Sequence, residues 1–92
     1  MSAELTSPVV LITGAATGIG AACARAFATR GWRVGIATLP STLGDAEDVA
    51  TACRALGSEA LVLPLDVTDD AACRAAAAQL EATFARIDGL VN

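Results

Sequence analysis

The sequence predicts an α/β fold, a doubly wound parallel sheet with helices in its crossovers. Three observations carry that prediction. Four short apolar runs, at residues 9–12, 33–38, 60–65 and 89–92, alternate with three longer stretches of helical period. Glycine or proline marks most of the junctions between them. The alternation itself implies parallel strands, because strand, helix and strand in succession close as a right-handed crossover.

The elements follow in order. Pro8 precedes Val9, Val10, Leu11 and Ile12, a continuous apolar run suited to a strand buried on both faces. Gly14, Gly18 and Gly20 then break the run. From Ile19 the period changes: Ile19, Cys23 and Phe27, with Ala22 and Ala26, recur three or four apart and predict one buried helix face. Gly31 is a natural stop. Residues 33–38, RVGIAT, read as the second strand, and residues 39–45, LPSTLGD, as a loop. Ala46, Val49, Ala50, Cys53 and Leu56 repeat at helical spacing up to Gly57. Residues 60–65, ALVLPL, form the third strand, and Pro64 suits an edge position. Residues 66–70 are a turn with Thr68 or Asp69 as helix N-cap, and its acids suit the positive end of a helix. Ala72, Ala76, Leu80 and Phe84 mark the apolar stripe of the last helix. The expected strand order is 3-2-1-4. It puts the third strand at an edge and opens a ligand crevice between strands 1 and 4.

Composition narrows the function. A chain of 92 residues suits one small domain, and Phe27, Trp32 and Phe84 are its only aromatic residues. The core is therefore expected to rest on Val, Ile and Leu. The net charge is −4, and the arginines at 25, 30, 33, 54, 74 and 86 form no basic run, which argues against a nucleic-acid partner. There is no tyrosine, lysine or histidine, so acid–base chemistry falls to carboxylates and three thiols. Cys23, Cys53 and Cys73 stand 30 and 20 residues apart, which is no metal-ligand spacing. They read as small buried hydrophobes in a reducing compartment, and no metal is expected. The opening segment has no basic region, and its apolar run at 9–12 is short for a signal peptide or a membrane span. A cytoplasmic location and no membrane partner are the expectation.

The chemistry concentrates in TGAATGIG, residues 13–20, between the first strand and the first helix. A diphosphate there meets unpaired N–H groups and the positive end of the helix dipole. Gly14 allows the sharp exit from the strand. Gly18 lets the backbone approach the phosphates, and Gly20 lets the helix pack closely on the sheet. A P-loop needs a lysine after its last glycine, and the chain has none. A methyltransferase-type loop would bring an acid to the end of the first strand, where Thr13 stands.

The spacing Gly-x-x-x-Gly-x-Gly, with Thr13 in front and Ile19 inside, closely resembles the classical branch of the short-chain dehydrogenase/reductase family. LDV at 65–67 looks like that family's adenine-binding turn. IDGLVN at 87–92 looks like the start of its fourth-strand motif. The resemblance runs from residue 9 to residue 92 and implies a Rossmann-type NAD(P)-binding domain. On that likeness, the loop from Gly14 through Gly18 to Gly20 holds the pyrophosphate. Thr17 lies near the adenosine ribose, and Ile19 offers its backbone at the diphosphate. Asp66 accepts from the adenine amino group, although by itself it reads as a turn residue before a helix. Val67 offers its N–H and its side chain to the ring. Asn92 ties strands together with its backbone near the ribose. Thr38 stands where NAD-preferring members carry an acid. A threonine does not repel a 2′-phosphate, and Thr38, Ser41 and Thr42 can donate to one, so the leaning is to NADP over NAD. The arginine that often accompanies NADP is missing at Thr17 and just after Thr38.

The same resemblance implies hydride transfer between the nicotinamide and a small carbonyl or alcohol substrate. It assigns proton transfer to a tyrosine, with a lysine four residues later. The chain holds neither, so it contains no catalytic residue and is expected to be inactive alone. Residues 1–92 read as the N-terminal part of a single NAD(P)-binding domain whose catalytic half lies elsewhere, in a parent expected to be a homo-oligomer. The alternatives are a dinucleotide-binding module without chemistry and a structural fragment that folds against a partner.

Overall fold

The computed structural model describes residues 7–92. Residues 1–6, at the head of the segment read above for a leader, lie outside the described residues. Strands β1 (Val9–Thr13), β2 (Arg33–Thr38), β3 (Ala60–Pro64) and β4 (Gly89–Val91) alternate with helices α1 (Gly18–Thr29), α2 (Leu43–Ala55) and α3 (Asp70–Phe84). The four strands form one parallel sheet in the order β3-β2-β1-β4, the order expected. β1 is central: it pairs with β2 from Val9↔Arg33 to Thr13↔Ala37 and with β4 from Val10↔Gly89 to Ile12↔Val91. Pro64 pairs with Thr38 at the end of the edge strand, where a missing N–H is tolerated.

Period two along the strands divides the core. Val10, Ile12, Val34 and Ile36 pack against α1 and α2. Val9, Leu11, Ala37 and Leu63 face the other way, against Ala76, Leu80 and Phe84 of α3. Both faces of the sheet are thus covered, which is why the strands read as unbroken apolar runs.

Three expectations are corrected. The core does not rest on Val, Ile and Leu alone. Ala21, Ala24 and Ala28 of α1 and Ala46 and Ala50 of α2 are buried with them. Small side chains at these positions let helix and sheet backbones approach closely. Second, α1 buries a different face from the one predicted. Ile19 is 85% exposed and Ala22 and Ala26 are exposed, while Cys23 and Phe27 sit half-buried at the margin. The reason lies at Gly20: a Cβ there would stand 2.2 Å from the Gly14 carbonyl oxygen, so its bare backbone is packed on the loop and sets the rotation of the helix. Third, α2 begins at Leu43, inside the predicted loop, after a short 3₁₀ turn at Pro40–Thr42. Pro40 has its φ preset for a helical turn, so a stretch that reads as loop enters a helix instead.

Arg33 is buried, and a carbonyl and an aromatic ring meet its guanidinium. Its guanidinium donates to the Ser7 carbonyl from Nη2 at 2.8 Å and from Nε at 3.3 Å, and lies 5.1 Å from the centre of the Phe84 ring. Among the described residues no buried side-chain nitrogen or oxygen lacks a partner. Ala85, just past α3, turns the chain with a φ of 70° before β4.

Asp88 pins the start of β4 to the start of β1. Its carboxylate accepts from Val9 N at 2.8 Å, from Arg86 Nε at 2.7 Å and from Arg86 Nη2 at 2.6 Å. Its own N–H donates to Val9 O at 2.8 Å. The Arg86 guanidinium, followed by the Val9 N–H, holds the Asp88 carboxyl below the usual carboxylate range. A carboxylate lowered in the folded state stabilises above its unfolded pKa of about 4, and that contribution fades as pH falls through the folded value. The urea midpoint is therefore expected to drop between about pH 5 and about pH 3, and Asp88→Asn to flatten the drop. Equal slopes in both proteins would assign the acid sensitivity elsewhere.

Candidate functional site

All four strands end at one edge of the sheet, and the residues singled out by sequence gather there. Gly14 has a φ of +62° and Gly18 a φ of +58°, a left-handed backbone that glycine adopts without strain. A Cβ on either would meet nothing within 4 Å, so each leaves open space beside the loop. Thr17 is the N-cap of α1, extended at φ −143° and ψ 167°, but its side chain makes no capping bond. There is no acidic residue in the first turn of α1. The N–H groups of that turn therefore face the gap without a side-chain acceptor, together with the positive end of the helix dipole. The loop is held in place by Ala15 N, which donates to Ala37 O at 3.2 Å.

Next to the loop lies a cavity of about 330 Å³, lined by Gly14, Thr38, Leu39, Leu65, Asp66, Val67 and Thr68. The ends of β1, β2 and β3 thus bring Gly14, Thr38, Asp66 and Val67 into one concavity. Leu65 belongs to the LDV turn read from the sequence, but neither it nor Leu39 was given a binding role. They are the apolar neighbours of Thr38 and Asp66, and that adjacency was the available signal. Val67 is 54% exposed and Leu39 49%, which puts apolar surface around a polar mouth.

Asp66 is held by its own turn. Thr68 donates to Oδ1 from its hydroxyl at 2.6 Å and from its N–H at 2.9 Å. These bonds, the hydroxyl's first, lower the carboxyl below its usual range, so it is ionised at neutral pH and can only accept. The turn reading and the ligand reading of Asp66 are compatible, since both bonds fall on Oδ1. Asp69, one of the two N-caps considered, accepts from Ala72 N at 3.1 Å.

A second concavity, about 250 Å³, shares Leu65 and Val67 and adds Leu11, Thr13, Cys73, Ala77, Leu90 and Asn92. Here the Thr13 hydroxyl donates to Asn92 Oδ1 at 2.7 Å, with Val91 O at 3.4 Å. This bond crosses the boundary between β1 and β4, the crevice expected from the strand order. A third concavity, about 390 Å³, lies between α1 and α2 and is lined by Ala16, Thr17, Gly18, Ala21, Arg25, Asp45, Asp48 and Val49. Ile19 and Gly20 line none of the three. Ile19 stands out into solvent, and Gly20 makes the backbone contact described above.

The cysteines are unpaired, and only Cys53 is fully buried; burial raises its thiol. Among the described residues no three His, Cys, Asp or Glu side chains are grouped to hold a metal, and no helix is long and apolar enough to cross a membrane.

The family model of the short chain dehydrogenases matches residues 8–92. The chain belongs to the short-chain dehydrogenase family. It is 40% identical to 2,5-dichloro-2,5-cyclohexadiene-1,4-diol dehydrogenase of Sphingobium indicum, over all of this chain and 36% of that protein. It is 42% identical to D-threitol dehydrogenase of Mycolicibacterium smegmatis, over 97% of this chain and 34% of that one. Among solved structures, a short-chain type dehydrogenase/reductase from Mycobacterium marinum superposes with a TM-score of 0.84 at 33% identity, over 98% of this chain and 37% of that one. An NAD⁺-bound xylitol dehydrogenase superposes with a TM-score of 0.84 at 29% identity, over 90% of this chain and 31% of that one. This short-chain dehydrogenase sequence thus spans about a third of the length of the relatives it matches. Its fold is of Rossmann type, and its family binds NAD(P).

Proposed function

We propose that this short-chain dehydrogenase chain holds the dinucleotide of an NAD(P)-dependent oxidoreductase acting on a small alcohol or carbonyl compound. The observation that carries the reading is the loop from Gly14 to Gly20. Open space beside two left-handed glycines meets a helix N-terminus with no side-chain cap. That combination accepts a diphosphate without any lysine. In this reading Gly14, Thr17, Gly18 and the backbone of Ile19 surround the diphosphate and the adjoining ribose. Gly20 holds the loop against the helix. Asp66 offers its free Oδ2 to the adenine amino group, and Val67 and Leu39 cover the ring faces. Asn92, fixed by Thr13, borders the ribose on the nicotinamide side.

When bound, the dinucleotide supplies hydride chemistry. The residues of this chain bind and orient it. With no tyrosine and no lysine present, the proton-transfer residues belong to polypeptide outside these 92 residues. The relatives quoted are named for a cyclohexadienediol and a tetritol, both alcohols, which supports an alcohol or carbonyl substrate. Unpaired cysteines are in keeping with the cytoplasm, and we place the protein there, as a homo-oligomer.

The choice of dinucleotide is a finer question. The lack of an acid at Thr38 removes one repulsion against a 2′-phosphate and, alone, favours NADP; the contact of the Thr38 hydroxyl with Thr42 weighs the other way. Calorimetric titration with NADH and with NADPH tests the general reading. At least one is expected to bind, and Gly18→Val, which fills the open space beside the loop, is expected to weaken that binding at least about tenfold. Failure of both nucleotides to bind a folded protein would sink the proposal.

A further inference from the structure

Thr38, at the end of β2, is only 6% exposed and still lines the cavity that holds Asp66 and Val67. In a dinucleotide fold this is the strand end that meets the adenosine ribose 2′ position. The chemistry offered there depends on where the hydroxyl proton of Thr38 points. Its Oγ1 lies 2.5 Å from Thr42 Oγ1, and Thr42 Oγ1 in turn donates to Leu39 O at 3.1 Å. A threonine hydroxyl has one proton. If Thr42 donates to Leu39 O, the proton between the two hydroxyls belongs to Thr38. The relay then runs from Thr38 to Thr42 to the Leu39 carbonyl, and it leaves Thr38 with lone pairs only.

We infer that Thr42 is a positioning residue that orients Thr38 as an acceptor, so that this end of the site takes a ribose 2′-hydroxyl and disfavours a 2′-phosphate, making NAD the preferred dinucleotide. The inference rests on the dinucleotide reading proposed above. A 2′-hydroxyl brings a proton to an acceptor. A 2′-phosphate brings only acceptors and negative charge, and to receive a bond from Thr38 it must break the relay. The loss of one neutral hydrogen bond is worth about fivefold in affinity.

The charges in the concavity between α1 and α2 act in the same direction. The concavity beside Thr17 and Gly18 carries two carboxylates, Asp45 and Asp48, against one guanidinium, Arg25. Arg25 is within ion-pair distance of neither acid. The N-terminus of α2 would attract an anion, but Asp45 already occupies its first turn. The absence of an acid at Thr38 therefore does not open the site to a phosphate. The carboxylates stand further along the chain in α2, and the hydroxyl of Thr38 is engaged by Thr42.

The test is calorimetric titration of the protein with NADH and NADPH at low salt. NADH is expected to bind at least about tenfold tighter, with the ratio narrowing as salt screens Asp45 and Asp48. Thr42→Val keeps the shape and removes the relay, and is expected to narrow the ratio by about fivefold. Thr42→Ser restores a hydroxyl and is expected to restore the ratio, which a merely structural role for Thr42 would not produce. Equal or tighter binding of NADPH by the unaltered protein would overturn the inference, as would an unchanged ratio in folded Thr42→Val. If neither nucleotide binds, it is the underlying dinucleotide reading that fails.

Discussion

Gly20→Ala is expected to cost about 3 kcal/mol or more of stability and to impair nucleotide binding with it. Two effects oppose each other. Alanine in a helix is favoured over glycine by about 1 kcal/mol. Against that, the new Cβ would lie 2.2 Å from the Gly14 carbonyl oxygen and 2.9 Å from the Ala15 Cα. Both are backbone atoms, so relief requires α1 to lift from the loop or the loop to move off β1. Either displacement disturbs the gap beside Gly14 and Gly18. The clash exceeds the propensity gain, and the sign is unambiguous. Gly44→Ala is the control. It also lies in a helix, but its Cβ would meet nothing within 4 Å, so it is expected to stabilise by about 0.5 kcal/mol. Denaturant midpoints of the two variants should move in opposite directions. A neutral Gly20→Ala would mean that the close approach of α1 is not required.

The second large effect is expected at Leu80. Leu80 is fully buried on α3, and its methyl groups lie over Gly35 of β2, where a Cβ would come within 2.8 Å and 2.9 Å of them. Gly35 thus provides the space that Leu80 fills. Leu80→Ala is expected to cost about 3 kcal/mol, the transfer term plus the cavity left above β2. For a small domain that is a large part of the total. Gly35→Ala alone is expected to destabilise by overpacking against Leu80 and Leu11. Combined with Leu80→Ala it is expected to be tolerated, because the space has been vacated. The double-mutant cycle should therefore show coupling of about 1 kcal/mol or more, and strict additivity would contradict the packing described here.

These two sites mark how far the residues alone could be read. The positions of Gly14, Gly18 and Gly20 were legible, because a strand, a turn and a helix start in fixed spacing leave few backbone solutions. A cap at Thr68 or Asp69 and Pro64 at an edge were legible for the same local reason, and the structure chose Asp69. The buried face of α1 was not. Ile19 carried the largest apolar side chain in its first turn, and periodicity assigned it to the core. Contact between the bare backbone of Gly20 and the loop turned the helix so that alanines went inward and Ile19 outward. Hydrophobicity ranks residues one at a time, but helix rotation is decided by which face can approach most closely. The Thr38–Thr42–Leu39 relay was likewise invisible in the sequence, since it depends on a 3₁₀ turn bringing Thr42 back over the end of β2.

Four parallel strands, their order, the glycine loop at the end of the first and the absence of tyrosine and lysine were all determined by the sequence itself. Each depends on local period, turn chemistry or simple composition. What only the tertiary structure decided was orientation. It set which face of α1 is buried and how Leu80 seats over Gly35, and it brought the Thr38 and Thr42 hydroxyls together. Those outcomes depend on contacts between segments far apart in the chain, and their energies are fixed by distances that no local pattern encodes.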